Sequence, residues 1–292
     1  METTRLADGR AVEYVEVGDP GGRPVVHLHG TPATAGSAVL FDDVARRCGV
    51  RLVAVSRPGY GASTTSPPGL LSVATDVGEL LTGLGIDEFV AWGTSGGGPY
   101  ALALGAELPS RVRQVLVAAG IGPVQEVPPA VLGPEDLRAL ALLAGGDVDG
   151  AVALATTGAE RELGTLRALP AAEFEAAFRS LTPPTEHYFD TRAAEATRFF
   201  ADVHRAVQRL EGYVRDNLSW TGPWDFDLID VVAPVVLAYG EADVMVPPAH
   251  GAWLHDALPA STLTVHPGAG HGDVTFGLAE RLLAAPGGMS KG

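Results

Sequence analysis

Short β-branched runs alternate with longer helical patterns over the first 118 residues, stop, and resume near residue 235. Thr3 to Leu6 and Ala11 to Val17 read as a hairpin around an Asp8-Gly9 turn. Val25 to Leu28, Arg51 to Val55, Phe89 to Trp92 and Val112 to Ala118 read as strands. Ser37 to Arg47, Leu70 to Leu84 and Gly97 to Glu107 read as the helices between them, the second closed by Gly85. Val112 to Ala118 is nearly unbroken in apolar residues, as expected of a parallel strand covered on both faces. This alternation predicts a mostly parallel, doubly wound α/β sheet.

From Gly120 to about Asp230 the pattern is helical only, with alanine-rich segments at Leu137 to Leu143, Ala171 to Ser180 and Thr191 to Leu210. Strands return at Val235 to Tyr239 and Thr262 to His266, followed by helical patterns near Ala249 to Ala257 and Val274 to Ala284. A helical insertion the size of a small domain therefore interrupts the α/β core, its ends marked by Pro123, Pro128-Pro129 and Pro223. The expected organisation is a core of residues 1–122 and 226–285, an insertion of residues 123–225, and a glycine-rich tail of residues 286–292 left out of the fold.

A chain of 292 residues with 46% hydrophobic and 19% charged content can bury a large core, as one large α/β domain with an insertion or as two small domains. Net charge is −15, and no basic run is longer than Arg46-Arg47, which argues against a nucleic-acid partner. The acidity itself reads first as solubility. The single cysteine, Cys48, rules out an intramolecular disulfide and reads as a packed thiol. The N-terminus lacks the apolar stretch of a secretory signal, and no apolar run approaches the ~20 residues of a membrane span. A cytoplasmic protein with a small-molecule substrate and no membrane partner is the expectation. A homodimer is left open.

Four glycine-rich loops carry the chemistry. Gly93-Thr94-Ser95-Gly96-Gly97 fits G-x-S-x-G, a sharp turn that lifts a serine above a sheet edge. Alone the match is weak among 37 glycines, but a strand precedes it and a small-residue helix follows, which is the setting the motif requires. His29-Gly30-Thr31-Pro32 follows an earlier strand and can aim the Thr31 N–H at the same point as the Gly96 N–H, forming an oxyanion hole. The alternative there is a strand-end turn with a structural histidine. Gly240-Glu241-Ala242-Asp243 and Gly268-Ala269-Gly270-His271-Gly272 follow the last two strands. An imidazole can take the proton of an otherwise poorly nucleophilic serine, and a carboxylate can fix the imidazole tautomer. Ser95 is thus the candidate nucleophile, His271 the base and Asp243 the acid. Asp273 stands too close to His271 in sequence to be its expected partner, and Gly120 to Gly122 offer no carboxylate.

With Arg57-Pro58-Gly59-Tyr60-Gly61-Ala62-Ser63, these loops make the chain resemble the α/β-hydrolase superfamily, in its lidded branch, from about residue 10 to 284. Many members open that last motif with aspartate where this chain has Ser56, a change expected to alter loop packing. The resemblance implies an acyl-enzyme on Ser95. The insertion carries no metal-ligand cluster and the sequence no glycine-rich phosphate loop, so no cofactor and no metal are expected. The insertion is then expected to act as a lid. A substrate pocket is expected around His29, Thr94, His187, Tyr188, Trp220, Trp224 and Val244, with Phe189, Phe199, Phe200 and Tyr213 as further lid aromatics. Dehalogenases and epoxide hydrolases of the superfamily have a carboxylate at the position of Ser95 and are disfavoured. Proline iminopeptidases usually place tryptophan after the serine, where this chain has Gly96. Ester hydrolysis leads. Carbon–carbon, amide or lactone cleavage by the same residues, a rearrangement without net hydrolysis, and a non-catalytic ligand-binding role remain as alternatives.

Overall fold

The computed structural model describes residues 1–127, 133–181 and 186–284. The Pro128-Pro129 pair and the tail of residues 286–292 lie outside them. The chain opens with the hairpin β1 (Glu2–Arg5) and β2 (Ala11–Gly18). The alternating half follows: β3 (Arg23–Leu28), α1 (Asp42–Arg47), β4 (Val50–Val55), α2 (Leu71–Gly83), β5 (Phe89–Thr94), α3 (Gly98–Glu107) and β6 (Val112–Ala118). Among the described residues five α-helices come next: α4 (Pro134–Ala144), α5 (Val148–Arg167), α6 (Ala171–Arg179), α7 (Ala193–Val207) and α8 (Glu211–Thr221). The chain then returns through β7 (Val235–Gly240), α9 (Pro248–Ala257), β8 (Ser261–His266) and α10 (Ala279–Ala284).

The eight strands form one sheet in the order β1-β2-β4-β3-β5-β6-β7-β8. β1 and β2 are antiparallel additions, and β3 through β8 run parallel. This is the mostly parallel, doubly wound sheet that the alternation predicts. Neighbouring residues on a strand face opposite ways. Accordingly Val26, Val53 and Val117 enter one hydrophobic layer, with Val77, Leu81 and Leu104 of α2 and α3. Val25, Leu52 and Leu116 enter the other, with Phe41, Ala45 and Leu283. The inserted helices have a third core of their own, built on Phe174, Leu163, Val203, Val207 and Leu218. No helix among the described residues is long and apolar enough to cross a membrane.

Two helices expected from the sequence are broken in the structure. Ser37 to Arg47 divides into a seven-residue 3₁₀ segment, Ala35–Phe41, and the six-residue α1. Ala35, Ala38 and Phe41 are the buried apolar positions of the first piece, and a spacing of three brings side chains directly into line in the tighter helix, with three residues per turn. Val274 to Ala284 divides into a π-turn, Asp273–Gly277, and α10. The Thr275 hydroxyl donates to the His271 carbonyl at 2.9 Å at the start of that turn.

Candidate active site

Ser95 follows β5 directly and sits at φ 51°, a left-handed conformation that a residue with a side chain adopts only when its surroundings enforce it. The enforcement is local crowding. A Cβ on Gly93 would stand 2.4 Å from the Gly97 carbonyl oxygen, and one on Gly97 would stand 2.1 Å from that of Leu28. The turn between β5 and α3 therefore closes only around glycine, and it presents Ser95 at the carboxyl edge of the sheet.

Asp243 lies on the loop after β7 and is buried. Its Oδ1 accepts the N–H groups of Met245 and Val246, each at 2.9 Å. Its Oδ2 lies 2.7 Å from Nδ1 of His271, on the loop after β8. A carboxylate oxygen in this place selects the tautomer in which Nδ1 donates, and in the neutral ring of that tautomer Nε2 carries the lone pair. Ala242 N–H donates to the Ala269 carbonyl at 3.0 Å and ties the two loops together. Asp273 is engaged elsewhere, accepting the Gly270 N–H at 3.0 Å. Ser95 and His271 line the same cavity, of about 140 Å³.

The loop after β3 reaches this cavity with Gly30 and Thr31. A Cβ on Gly30 would be 3.4 Å from the Ser95 Cβ. A Cβ on Gly96 would lie 2.5 Å from Thr31 Oγ1 and 3.5 Å from Thr31 N, so Thr31 packs directly over Gly96. His29, placed in the pocket by the sequence reading, does not line it. It is fully buried in the loop's support, with Nδ1 2.7 Å from the Gly30 carbonyl and Nε2 accepting the Arg57 N–H at 3.2 Å. Burial and the Arg57 charge hold its pKa well below that of a free imidazole. Ser56, at the head of the Arg57 motif, donates to Glu13 Oε1 at 2.7 Å and accepts the Ala35 N–H at 2.9 Å.

Of the other expected pocket residues, Thr94 and Tyr188 line the cavity. His187 does not: its side chain is 71% exposed and pairs with Asp190 at 3.1 Å. Trp220 and Trp224 pack against the hydrophobic layer under the sheet, filling the seam where the insertion rejoins the core. Val244 is 58% exposed, while its neighbour Met245 faces the cavity. Helical periodicity and aromatic content could not settle these positions, because they do not say which side of the insertion a ring covers.

The sequence reading missed Phe276, which organises the cavity wall. Its ring stacks on Tyr188 with centroids 5.5 Å apart and meets Phe189 at 5.2 Å and Phe199 at 5.0 Å. It also missed His27, a cavity residue on β3 whose Nε2 lies 3.3 Å from Thr94 Oγ1. Burial, with the Arg57 charge, pushes the His27 pKa down to about 3, so its ring stays neutral.

Three carboxylates of the inserted stretch act on the loops of the sheet. Glu186 accepts the N–H groups of His271 at 2.7 Å and Gly272 at 2.8 Å. Asp202 of α7 accepts from the N–H of Thr34 at 2.7 Å and from its hydroxyl. Asp216 of α8 pairs with Arg57, and both side chains are 0% exposed. Burial is the largest single influence and works against the charge of both partners, but the partner's charge and the hydrogen bonds together outweigh it: the Arg57 pKa is raised and that of Asp216 lowered.

The family model for the α/β hydrolase fold matches residues 23–277. The chain belongs to the α/β-hydrolase fold family. A proline iminopeptidase from Xanthomonas citri is 28% identical over 91% of this chain and 89% of its own length. An α/β-hydrolase-fold protein from Nakamurella multipartita superposes with a TM-score of 0.66 at 22% identity, over 98% of this chain and 99% of that one. A thermophilic esterase from Thermogutta terrifontis superposes with a TM-score of 0.64 at 20% identity, over 97% and 94%. Within the α/β-hydrolase fold, this chain puts its inserted helices between β6 and β7.

Proposed function

We propose that this α/β-hydrolase-fold protein is a serine hydrolase that cleaves a carboxylic ester with a short to medium, largely apolar acyl group. The observation that carries the proposal is the 2.7 Å contact between Asp243 and Nδ1 of His271, at the wall of the cavity that Ser95 also lines. With Nδ1–H held by the carboxylate, Nε2 accepts the Ser95 proton as Oγ attacks the ester carbonyl. Charge develops on the carbonyl oxygen, which the N–H groups of Thr31 and Gly96 stabilise. The tetrahedral intermediate collapses, Nε2–H protonates the departing alkoxide, and an acyl-enzyme remains. Water then gives a proton to Nε2, attacks the acyl carbon and releases the acid, and Ser95 recovers its proton. The inserted helices act as a lid. Phe41, Phe199, Phe200 and Phe276 make the cavity suited to an apolar acyl chain.

A second reading is amide cleavage at an N-terminal proline. It is favoured by the full-length similarity to the Xanthomonas citri iminopeptidase. The acyl-enzyme chemistry would be the same and the leaving group an amine.

The test is labelling with a fluorophosphonate and mapping of the modified peptide, on the wild type and on His271→Ala. Rapid modification of Ser95 in the wild type, lost in the variant, is expected. Turnover of p-nitrophenyl esters of rising chain length, against a prolyl amide, then separates the two readings. A folded wild type that neither reacts nor turns over an ester would overturn the proposal.

A further inference from the structure

We infer that Asp216, carried by the inserted helix α8, is a positioning residue for the oxyanion loop and acts through the side chain of Thr31. The inference rests on the proposed role of the Thr31 N–H as an oxyanion donor.

The geometry is a closed network. Thr31 Oγ1 donates to Asp216 Oδ2 at 2.6 Å and accepts from Arg57 Nη2 at 2.9 Å. Arg57 Nε donates to Asp216 Oδ1 at 3.0 Å, and its Nη2 to Oδ2 at 2.5 Å. The rest of the guanidinium faces the loop backbone, with Nη1 donating to the His29 carbonyl and Nη2 reaching the Gly30 carbonyl at 3.3 Å. Tyr100, on the helix that Ser95 launches, donates to Asp216 Oδ1 at 2.7 Å. Tyr60 donates to Oδ2 at 3.1 Å. One carboxylate therefore joins the oxyanion loop, the Arg57 loop and the nucleophile helix.

Thr31 has no freedom left in this arrangement. Its hydroxyl is held from two sides, and its side chain lies against the Cα of Gly96. Fixing the side chain fixes the orientation of its own peptide N–H relative to Gly96. A buried ion pair is a poor way to gain stability, because well-packed apolar residues of the same volume do as well or better. What it supplies here is direction: a fork of donors and acceptors that a hydrocarbon could not aim. Preorganised donors act mainly on the transition state, where the charge develops.

The experiment compares Thr31→Val, Thr31→Ser, Asp216→Asn and the Thr31→Val/Asp216→Asn pair. Thr31→Val keeps the N–H and the shape but cuts the link to Asp216. Its kcat is expected to fall about 10- to 100-fold with KM little changed. Affinity for a trifluoromethyl ketone, which forms a tetrahedral adduct on serine, should fall in parallel. Thr31→Ser, which restores the hydroxyl, should recover most of both. Asp216→Asn should lose at least as much, and the double variant no more than Asp216→Asn alone. Asp216→Asn can fail to fold, but the Thr31 pair of variants does not depend on it. Wild-type kcat and ketone affinity in Thr31→Val, with Ser95 of the wild type labelled by the fluorophosphonate, would overturn this inference alone. A wild type that neither labels nor turns over would overturn the hydrolase reading and this one with it.

Discussion

Asp243 divides its two oxygens between two tasks: Oδ1 takes the N–H groups of Met245 and Val246, and Oδ2 takes Nδ1 of His271. This division decides the outcome of Asp243→Asn. The amide oxygen must stay with the two backbone donors, so the NH₂ group faces His271. Nδ1 then becomes an acceptor, Nε2 carries the proton, and the base cannot take one from Ser95. The variant is expected to keep its fold and lose activity by about 10⁴ in kcat. Circular dichroism with steady-state turnover checks it, and unchanged turnover would remove Asp243 from the machinery.

Gly97→Ala should be among the most damaging small substitutions in the chain. Its Cβ would press on the backbone oxygens of Leu28 at 2.1 Å and His29 at 2.6 Å, which belong to a sheet strand and its loop and cannot yield cheaply. Gly83→Ala, at the end of α2, meets nothing within 4 Å and should stabilise by up to about 1 kcal/mol through helix propensity. Urea denaturation of the two variants should show midpoints displaced in opposite directions. Similar midpoints would mean that the turn can open.

Asp202 predicts a pH dependence of stability. Burial pushes its pKa up to about 6 from an ordinary 3.8, although the Thr34 hydroxyl and N–H and the Arg205 charge favour ionisation; Glu13 adds to the rise. Between these two pH values the folded chain holds a proton that the unfolded chain has already lost. This group's contribution to stability therefore grows as pH falls from about 6 to 4 and is lost as pH rises, by at most about 3 kcal/mol. Asp202→Asn cannot titrate there. The stability of the wild type relative to this variant should rise between pH 7 and pH 4.5 in denaturant titrations. A difference independent of pH would contradict the prediction.

Glu186→Ala should weaken catalysis without unfolding the protein. The carboxylate accepts the backbone N–H groups of His271 and Gly272, and it does so at a half-buried position. Its loss frees the loop that aims the imidazole, and a small misplacement of a catalytic group costs up to about 100-fold. A fall in kcat of about 10-fold with a melting temperature close to that of the wild type is expected. A normal kcat would show that Asp243 alone orients the ring.

The loops of Ser95, Thr31, Asp243 and His271 could be read from sequence because each is a short glycine-rich pattern that follows a strand. Strand ends in a parallel sheet converge on one edge, so the order of motifs already implies their meeting place. The pocket wall was less legible. Trp220 and Trp224 look like pocket residues by type, but they fill the seam beneath the sheet, because packing over distances far beyond helical periodicity decides which side a ring takes. Phe276 was hidden because the sequence suggests a regular helix where the chain makes a π-turn. Glu186, Asp202 and Asp216 were invisible for another reason. In a chain with 35 acidic residues, a buried carboxylate has the same letter as a solvated one, and its partners lie 85 to 185 positions away.

Those three carboxylates also set terms for anyone who would re-engineer the protein by grafting. Helices α4 to α8 share a hydrophobic core of their own and invite replacement by the matching stretch of a relative. A donor stretch without an equivalent of Asp216 would leave the Arg57 guanidinium sealed in without a counter-charge, at a cost of about 3–5 kcal/mol. One without Asp202 and Glu186 would leave the backbone of Thr34, His271 and Gly272 short of its acceptors. A successful chimera must transplant these anchors at matching depth, or the new pocket will sit above slack machinery.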